Sequence, residues 1–134
     1  MTAVTGGSLS LGKKHSVSVT VECTNTATAI HSGALEVFAT PAMIALMENA
    51  AFECVQSSLG DGQTTVGSIV NVEHLAASPV GAQITATATI ESVDGRKINF
   101  KVSASDGHGE IGTGTHTRVI VDIDRFMSKI QGRK

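Results

Sequence analysis

Three side chains of this sequence could carry acid–base or nucleophilic chemistry: Thr40, Glu48 and His74. Glu48 is the most informative, because it lies within "VFATPAMIALMENAAFECV" (residues 37–55), which has the composition of a buried helix. At about 100° per residue, Glu48 falls at the edge of the apolar stripe, with Phe52 among its neighbours. An unpaired carboxylate at such a position costs several kcal/mol. Glu48 is therefore either a paired boundary residue or a base or nucleophile that lines a pocket.

His74 and Thr40 each have an ordinary structural explanation. His74 ends a strand-like run on the same side as Val72, where a histidine is more often a hydrogen-bonded core or rim residue than a catalyst. Thr40 precedes Pro41, a pair typical of a helix N-cap and the first helical residue. The eight-residue spacing puts Thr40 and Glu48 about 12 Å apart along a continuous helix. These two side chains therefore cannot hydrogen-bond to each other within one chain.

The elements that must position these residues can be predicted from periodicity. Alternating apolar residues predict a strand at His15–Val21 and, after the helix, four more strands: Thr64–His74, Ala82–Val93, Lys97–Ser105 and Glu110–Val121. "DIDRFMSKI" predicts a short final helix, with Asp122 or Asp124 as its cap. Strands and helices do not alternate, so a parallel sheet is not expected. We predict an α+β fold in which an antiparallel sheet of about five strands wraps around one long helix.

Length and composition indicate a single domain over residues 1–134, with residues 1–12 as a loose tail. The formal net charge is -2 and Trp and Tyr are absent, which gives no reason to expect a nucleic-acid partner. No apolar run suits a signal peptide or a membrane span. Two cysteines cannot form a disulfide framework, so we interpret Cys23 and Cys54 as reduced core residues of a cytoplasmic protein.

The histidines and acids near the C-terminus do not predict a metal site. His108, Glu110 and His116 are close in sequence, but their spacing matches no common metal motif. A turn followed by an exposed strand explains them. No metal and no cofactor are expected.

Four segments in this order resemble those of the hotdog-fold acyl-CoA thioesterases: "EVFATPAMIALMENA", "HLAASPVG", "VDGRKINFKVSASDG" and "EIGTGTHTRVIV". The resemblance is closest to the bacterial fluoroacetyl-CoA thioesterase family and runs roughly from Gly33 to the C-terminus. It implies the hotdog fold and hydrolysis of a small acyl-CoA in a homodimer. Whether dimers pair further into a dimer of dimers stays open.

The resemblance also implies the site residues. Thr40, Glu48 and His74 match the catalytic trio of the family, and Gly67 and Arg118 match its substrate-binding residues. Such a site lies between subunits, as in hotdog proteins generally. Glu48 would act either as the nucleophile or as the general base.

One segment departs from the family pattern. Where the fluoroacetyl-specific enzyme has a phenylalanine-bearing lid, this chain has "IHSGAL" (Ile30–Leu35). We therefore expect a more general acyl-CoA hydrolase. Arg118, Lys97 and Lys101 are candidates for contacts with the CoA phosphates, although a solvated strand face also explains the lysines. The alternatives are a non-catalytic acyl-CoA binding protein, or a hotdog hydratase or dehydratase, whose Asp/His pair we do not find here.

Overall fold

The computed structural model describes residues 9–134, which form five strands and two helices. In chain order the elements are β1 (Lys14–Thr20), α1 (Thr40–Gln56), β2 (Gln63–His74), β3 (Gln83–Asp94), β4 (Lys97–Asp106), β5 (Gly109–Asp122) and α2 (Ile123–Gln131). The strands form one antiparallel sheet in the order β1-β3-β4-β5-β2. The predicted α+β fold, with a five-stranded antiparallel sheet and one long helix, is confirmed.

The core lies between α1 and one face of the sheet. Strand β3 alternates strictly, so that its inward-facing residues are fully buried: Ile84, Ala86, Ala88 and Ile90. The buried side of α1 consists of Met43, Met47, Ala50, Ala51, Cys54 and Val55. Alanines on both surfaces let the helix approach the sheet closely, because they add little bulk between the two backbones. The opposite face of β3 is polar and includes Thr85, Thr87 and Thr89.

Helix α1 begins one residue earlier than the sequence predicts. Ala39 is the N-cap, in an extended conformation, and its carbonyl accepts the first helical hydrogen bond from the Met43 N–H at 3.0 Å. No side chain caps the helix, and Pro41 occupies its first turn. The prediction that Thr40 is the N-cap is therefore wrong, and its hydroxyl is free for another partner.

Two other sequence-based interpretations differ from the structure. Cys54 is on the buried side of α1. Cys23 is exposed, because it follows the end of β1 in a turn. Within the predicted loose tail, residues 1–8 lie outside the described residues. Leu9, by contrast, packs against the core, and the Gly12 N–H donates a 2.8 Å hydrogen bond to the Ile90 carbonyl.

Strand β2 lies at the edge of the sheet and pairs only with β5 among the described residues. Its register shifts between Gly67 and Ile69, which makes Ser68 the extra residue of a bulge. Just beyond the bulge, Ile69 is 56% exposed and Val70 is 40% exposed. An edge strand that exposes both apolar side chains and backbone hydrogen-bonding groups favours pairing with another strand.

Within residues 9–134, no helix has the length and hydropathy needed to cross a membrane.

Replacing Met47, which is 2% exposed beneath the sheet, tests how far α1 depends on this core. We expect Met47→Ala to lower the free energy of unfolding by about 2–5 kcal/mol, because the deletion leaves a cavity. Urea denaturation followed by circular dichroism measures the change. Asn49→Ala, at an exposed position of the same helix, is the matched control and should stay within about 0.5 kcal/mol of the parent. An equal loss in both variants would contradict this description of the core.

Candidate active site

Thr40 and His74 are in direct contact. Thr40 is the first residue of α1 and His74 is the last residue of β2, and their Oγ1 and Nδ1 atoms are 2.8 Å apart. A neutral imidazole has one donor and one acceptor nitrogen. Whichever role Nδ1 takes with the hydroxyl, the Nε2 atom therefore has the opposite role. The Thr40 hydroxyl, which does not cap the helix, orients this ring.

The other ring nitrogen of His74 is in an unusual environment. Nε2 is buried and has no hydrogen-bond partner among residues 9–134. Burial lowers the pKa of His74 below 6.5, and the nearby Ala76 backbone only partly offsets the effect. A buried nitrogen without a partner costs free energy, so its persistence marks a position where a further group is expected to bind.

A cleft of about 240 Å³ opens beside this pair. Thr40 and His74 form part of its wall, and the remaining lining residues are Ala27, Ser32, Val37, Phe38, Leu75, Ala76 and Ala77. Most of these side chains are small or apolar. Ser32 belongs to the segment that replaces the family's lid, and neighbouring His31 has φ of 60° and is exposed. The cleft can therefore accept a small apolar group next to the imidazole.

Glu48 lies in a second cluster. It is on α1, two turns after Thr40, and its side chain is 40% exposed. Its Oε2 accepts a hydrogen bond from Nη1 of Arg118 at 3.3 Å. The boundary position and the pairing explain how an apolar helix tolerates this carboxylate. The charge pair also holds the carboxylate oxygens in a defined place at the rim of the sheet.

The Arg118 guanidinium is buried and makes four hydrogen bonds. Nε donates to Oγ1 of Thr65 at 2.8 Å and Nη2 donates to the Thr65 carbonyl at 3.0 Å. The two N–H groups of Nη1 are directed to Glu48 and to Nε2 of His116. The guanidinium also lies 5.9 Å from the centre of the Phe52 ring. Since an arginine has five N–H groups, one on Nη2 has no partner among residues 9–134.

His116 is a residue whose role the sequence did not reveal. The predicted exposed position is wrong, because its side chain is only 1% exposed and its ring stacks on Phe100. Nδ1–H donates to the Ile69 carbonyl at 2.8 Å, so Nε2 of the neutral ring accepts from Arg118 at 3.2 Å. Burial lowers its pKa, and the Arg118 charge lowers it further. His116 thus connects the β2 bulge to the guanidinium.

Gly67 completes the second cluster. A Cβ atom at this position would lie 2.5 Å from Oε2 of Glu48 and 3.3 Å from Cε1 of His116. Any side chain would therefore displace the carboxylate. The absence of a side chain also exposes the backbone beside the bulge, where a ligand can approach it closely.

The five residues expected from the family resemblance therefore form two groups within one chain. Thr40 and His74 meet at one end of α1, whereas Glu48 and Arg118 meet beside Gly67. The groups are separated by eight residues of α1, which is about 12 Å. No contact joins them within residues 9–134. Arg118 is 7% exposed, whereas Lys97 and Lys101 are exposed on β4.

His74, which is half-buried, and His116, which is buried, both predict a loss of stability in acid. Their pKa values are lowered in the folded state, so the unfolded chain binds protons more readily once the pH falls below about 6.5. The free energy of unfolding should therefore decrease as the pH falls from 7 towards 5. Urea denaturation at several pH values should show a smaller decrease in His74→Gln than in the parent. An exposed-site control, His108→Gln, should retain the decrease, and identical pH curves for all three proteins would contradict the prediction.

The sequence of this chain matches a family model and a known relative. The family model described as "FlK: Fluoroacetyl-CoA-specific thioesterase" matches residues 19–124. A fluoroacetyl-CoA thioesterase of Streptantibioticus cattleyicolor is 42% identical over 96 residues, which cover 72% of this chain and 69% of that protein.

Solved structures show the same fold. A mutant of the fluoroacetyl-CoA-specific thioesterase FlK superimposes with a TM-score of 0.91 at 32% identity, covering 96% of this chain and 100% of that one. A hot-dog-like protein from Thermanaerovibrio acidaminovorans has a TM-score of 0.85 at 30% identity, covering 92% and 91%. The predicted hotdog fold and the predicted membership of a thioester hydrolase family are both confirmed. The chain belongs to the FlK family of fluoroacetyl-CoA-specific thioesterases.

Proposed function

We propose that this protein hydrolyses small acyl-CoA thioesters at a site shared by two subunits. Thr40 and His74 of one subunit face Glu48, Gly67 and Arg118 of the other. One observation carries the proposal: the residues that match the family's site lie in two preformed groups that one chain cannot bring together. A symmetric dimer contains both groups twice, so it forms two complete sites.

The exposed edge of β2 provides the means of pairing. Two antiparallel copies of this strand, related by an axis between Val70 and Asn71, would place His74 of one opposite Gly67 of the other. Gly67 is the residue beside which Glu48 and Arg118 lie. The exposed apolar residues Ile69 and Val70 are near the centre of this pairing, where they would be covered. Pairing along the exposed edge of β2 therefore covers that edge and also brings the Thr40–His74 group of one subunit to the Glu48–Arg118 group of the other.

The chemistry follows from the positions of the groups. The acyl group occupies the cleft beside His74, with its thioester carbonyl directed to the backbone N–H groups near Gly67 and the remaining N–H of Arg118. These donors stabilise the charge that develops on the carbonyl oxygen. The Glu48 carboxylate either takes a proton from an attacking water or attacks the carbonyl carbon to give an anhydride, which a water molecule then hydrolyses. In both routes the C–S bond breaks, the His74 imidazole, oriented by Thr40, passes a proton that originates from the water to the departing thiolate, and the products are the free acid and CoA.

The lining of the cleft supports a broader substrate range than fluoroacetyl-CoA. Its wall contains Ser32, Ala76 and Ala77, and no aromatic residue among Ile30–Leu35 covers it. An enzyme specific for one small halogenated acyl group needs close contacts around that group, since a single missing contact is worth only about 10–200-fold in selectivity. We therefore expect this site to accept several short acyl groups.

Release of free thiol from acyl-CoA esters tests the function. We expect the purified protein to hydrolyse acetyl-CoA and other short esters, and Glu48→Gln to lower kcat/KM by at least about 100-fold, since the amide is neither a base nor a nucleophile. Glu53→Gln, at an exposed position of the same helix, should keep the parent rate. Retained activity in Glu48→Gln would refute the mechanism. Binding of CoA esters without turnover by the parent would instead indicate the non-catalytic alternative.

Mixed dimers test whether the site spans two subunits. His74→Ala and Glu48→Gln should each be inactive alone. Refolding them together in equal amounts makes mixed dimers in which one of the two sites has all its parent residues, so about a quarter of the parent activity should return. If all the residues act within one chain, every site stays defective and no activity returns. Refolding each variant with itself is the control for the procedure.

A further inference from the structure

A second cleft, of about 300 Å³, lies where α2 follows the sheet. Its walls come from the β3–β4 turn, the end of β5 and α2, and its lining residues are Arg96, Ile120, Val121, Asp122, Arg125, Phe126 and Lys129. It is distinct from the acyl cleft, with which it shares no lining residue. None of its residues is used in the hydrolytic mechanism.

The cleft is strongly basic. Three cations line it, whereas Asp122 is its one carboxylate and already binds Arg96, with Nη2 and Oδ2 3.3 Å apart. Arg125 and Lys129 lie one turn apart on the same side of α2, and neither has an ion-pair partner among residues 9–134. Exposed cations without acidic partners that converge on one cleft attract an anion.

The position of Arg96 is fixed by the sheet. The Ile120 N–H donates to the Arg96 carbonyl at 2.8 Å, and Nη1 of Arg96 donates to the Ile120 carbonyl at 3.2 Å. The start of α2 is held by a 2.8 Å hydrogen bond from the Ile123 N–H to the Gly62 carbonyl. Between the cations, Ile120 and the half-buried Phe126 provide apolar surface. The cleft can therefore bind a ligand in which an anionic group is attached to a flat apolar ring.

The cleft lies near the predicted thioester position. Arg118 and Asp122 are on the same strand, four residues apart, which corresponds to about 13 Å. CoA carries its thioester at one end of a long pantetheine arm and its phosphates and adenine at the other. A ligand whose sulfur lies beside Arg118 can therefore extend in the direction of β5 and reach Arg125 and Lys129.

We infer that Arg96, Arg125 and Lys129 form the binding site for the phosphates of the CoA nucleotide. This inference rests on the proposed function, and it replaces Arg118, Lys97 and Lys101 as the phosphate contacts. The guanidinium of Arg96 and the two cations of α2 bind the phosphates, and Phe126 contacts the adenine. The site therefore distinguishes CoA esters from thioesters that lack the nucleotide.

The test compares an acyl-CoA with the matching acyl-pantetheine, which has the same thioester but no nucleotide. In the double variant Arg125→Gln and Lys129→Gln, we expect KM for the acyl-CoA to rise about tenfold or more with kcat unchanged, because charged hydrogen bonds to phosphate are lost. KM for the acyl-pantetheine should stay at the parent value. Lys101→Gln, an exposed cation on β4, is the matched control and should behave as the parent.

Three outcomes would overturn the inference: an unchanged KM for the acyl-CoA in the double variant, an equal loss with both substrates, or a rise in KM in Lys101→Gln alone.

Calorimetric titration with CoA and with pantetheine separates this inference from the proposed function. If no thioester is hydrolysed but the double variant still weakens binding of CoA and not of pantetheine, the phosphate site stands and the hydrolase proposal falls. If the parent binds CoA no better than pantetheine, the phosphate site falls.

Discussion

The rigidity of α1 is the constraint on which the site depends. Thr40 and Glu48 are held on one continuous helix, about 12 Å apart, and the buried face of that helix is fixed against the sheet. No side-chain rotation can bring the two together. One group instead forms at the first residue of α1 and the other beside its midpoint. Because β2 runs past both groups and has one edge that no other described strand covers, pairing of two β2 strands would join the groups across a symmetry axis.

The second group depends on satisfying a buried guanidinium. Burial of a charge is costly unless the charge is paired and hydrogen-bonded. Four of the five N–H groups of Arg118 meet this requirement through Thr65, Glu48 and a neutral His116. A protonated His116 could not accept the hydrogen bond from Arg118, and its ring would carry a second positive charge there. Its other nitrogen binds the Ile69 carbonyl, so one ring fixes both the guanidinium and the bulge of β2.

In the first group, the Thr40 side chain can bind His74 because α1 begins one residue earlier than the sequence predicts. With Ala39 as the N-cap, the helix needs no capping hydroxyl, and Thr40 can bind His74. Within residues 9–134, the ring then has one nitrogen with a hydrogen-bond partner and one buried nitrogen without. Such an arrangement lowers stability and is retained where a ligand or a second chain supplies the missing partner. Ser32 lines the adjacent cleft, and no aromatic residue of Ile30–Leu35 does so.

The sequence by itself determined the elements and the residues that could react. A period of two predicted the five strands and a period of 3.6 predicted α1, because these patterns record which side of each element is buried. Residue types and positions made Thr40, Glu48 and His74 candidates, and the family resemblance strengthened them and added Gly67 and Arg118. Only the tertiary structure decided which of them meet. A sequence period shows which side of an element is buried, but it does not show that α1, β2 and β5 contact one another. It also buried His116, whose strand pattern gave no sign that its ring would lie between Arg118 and the bulge of β2.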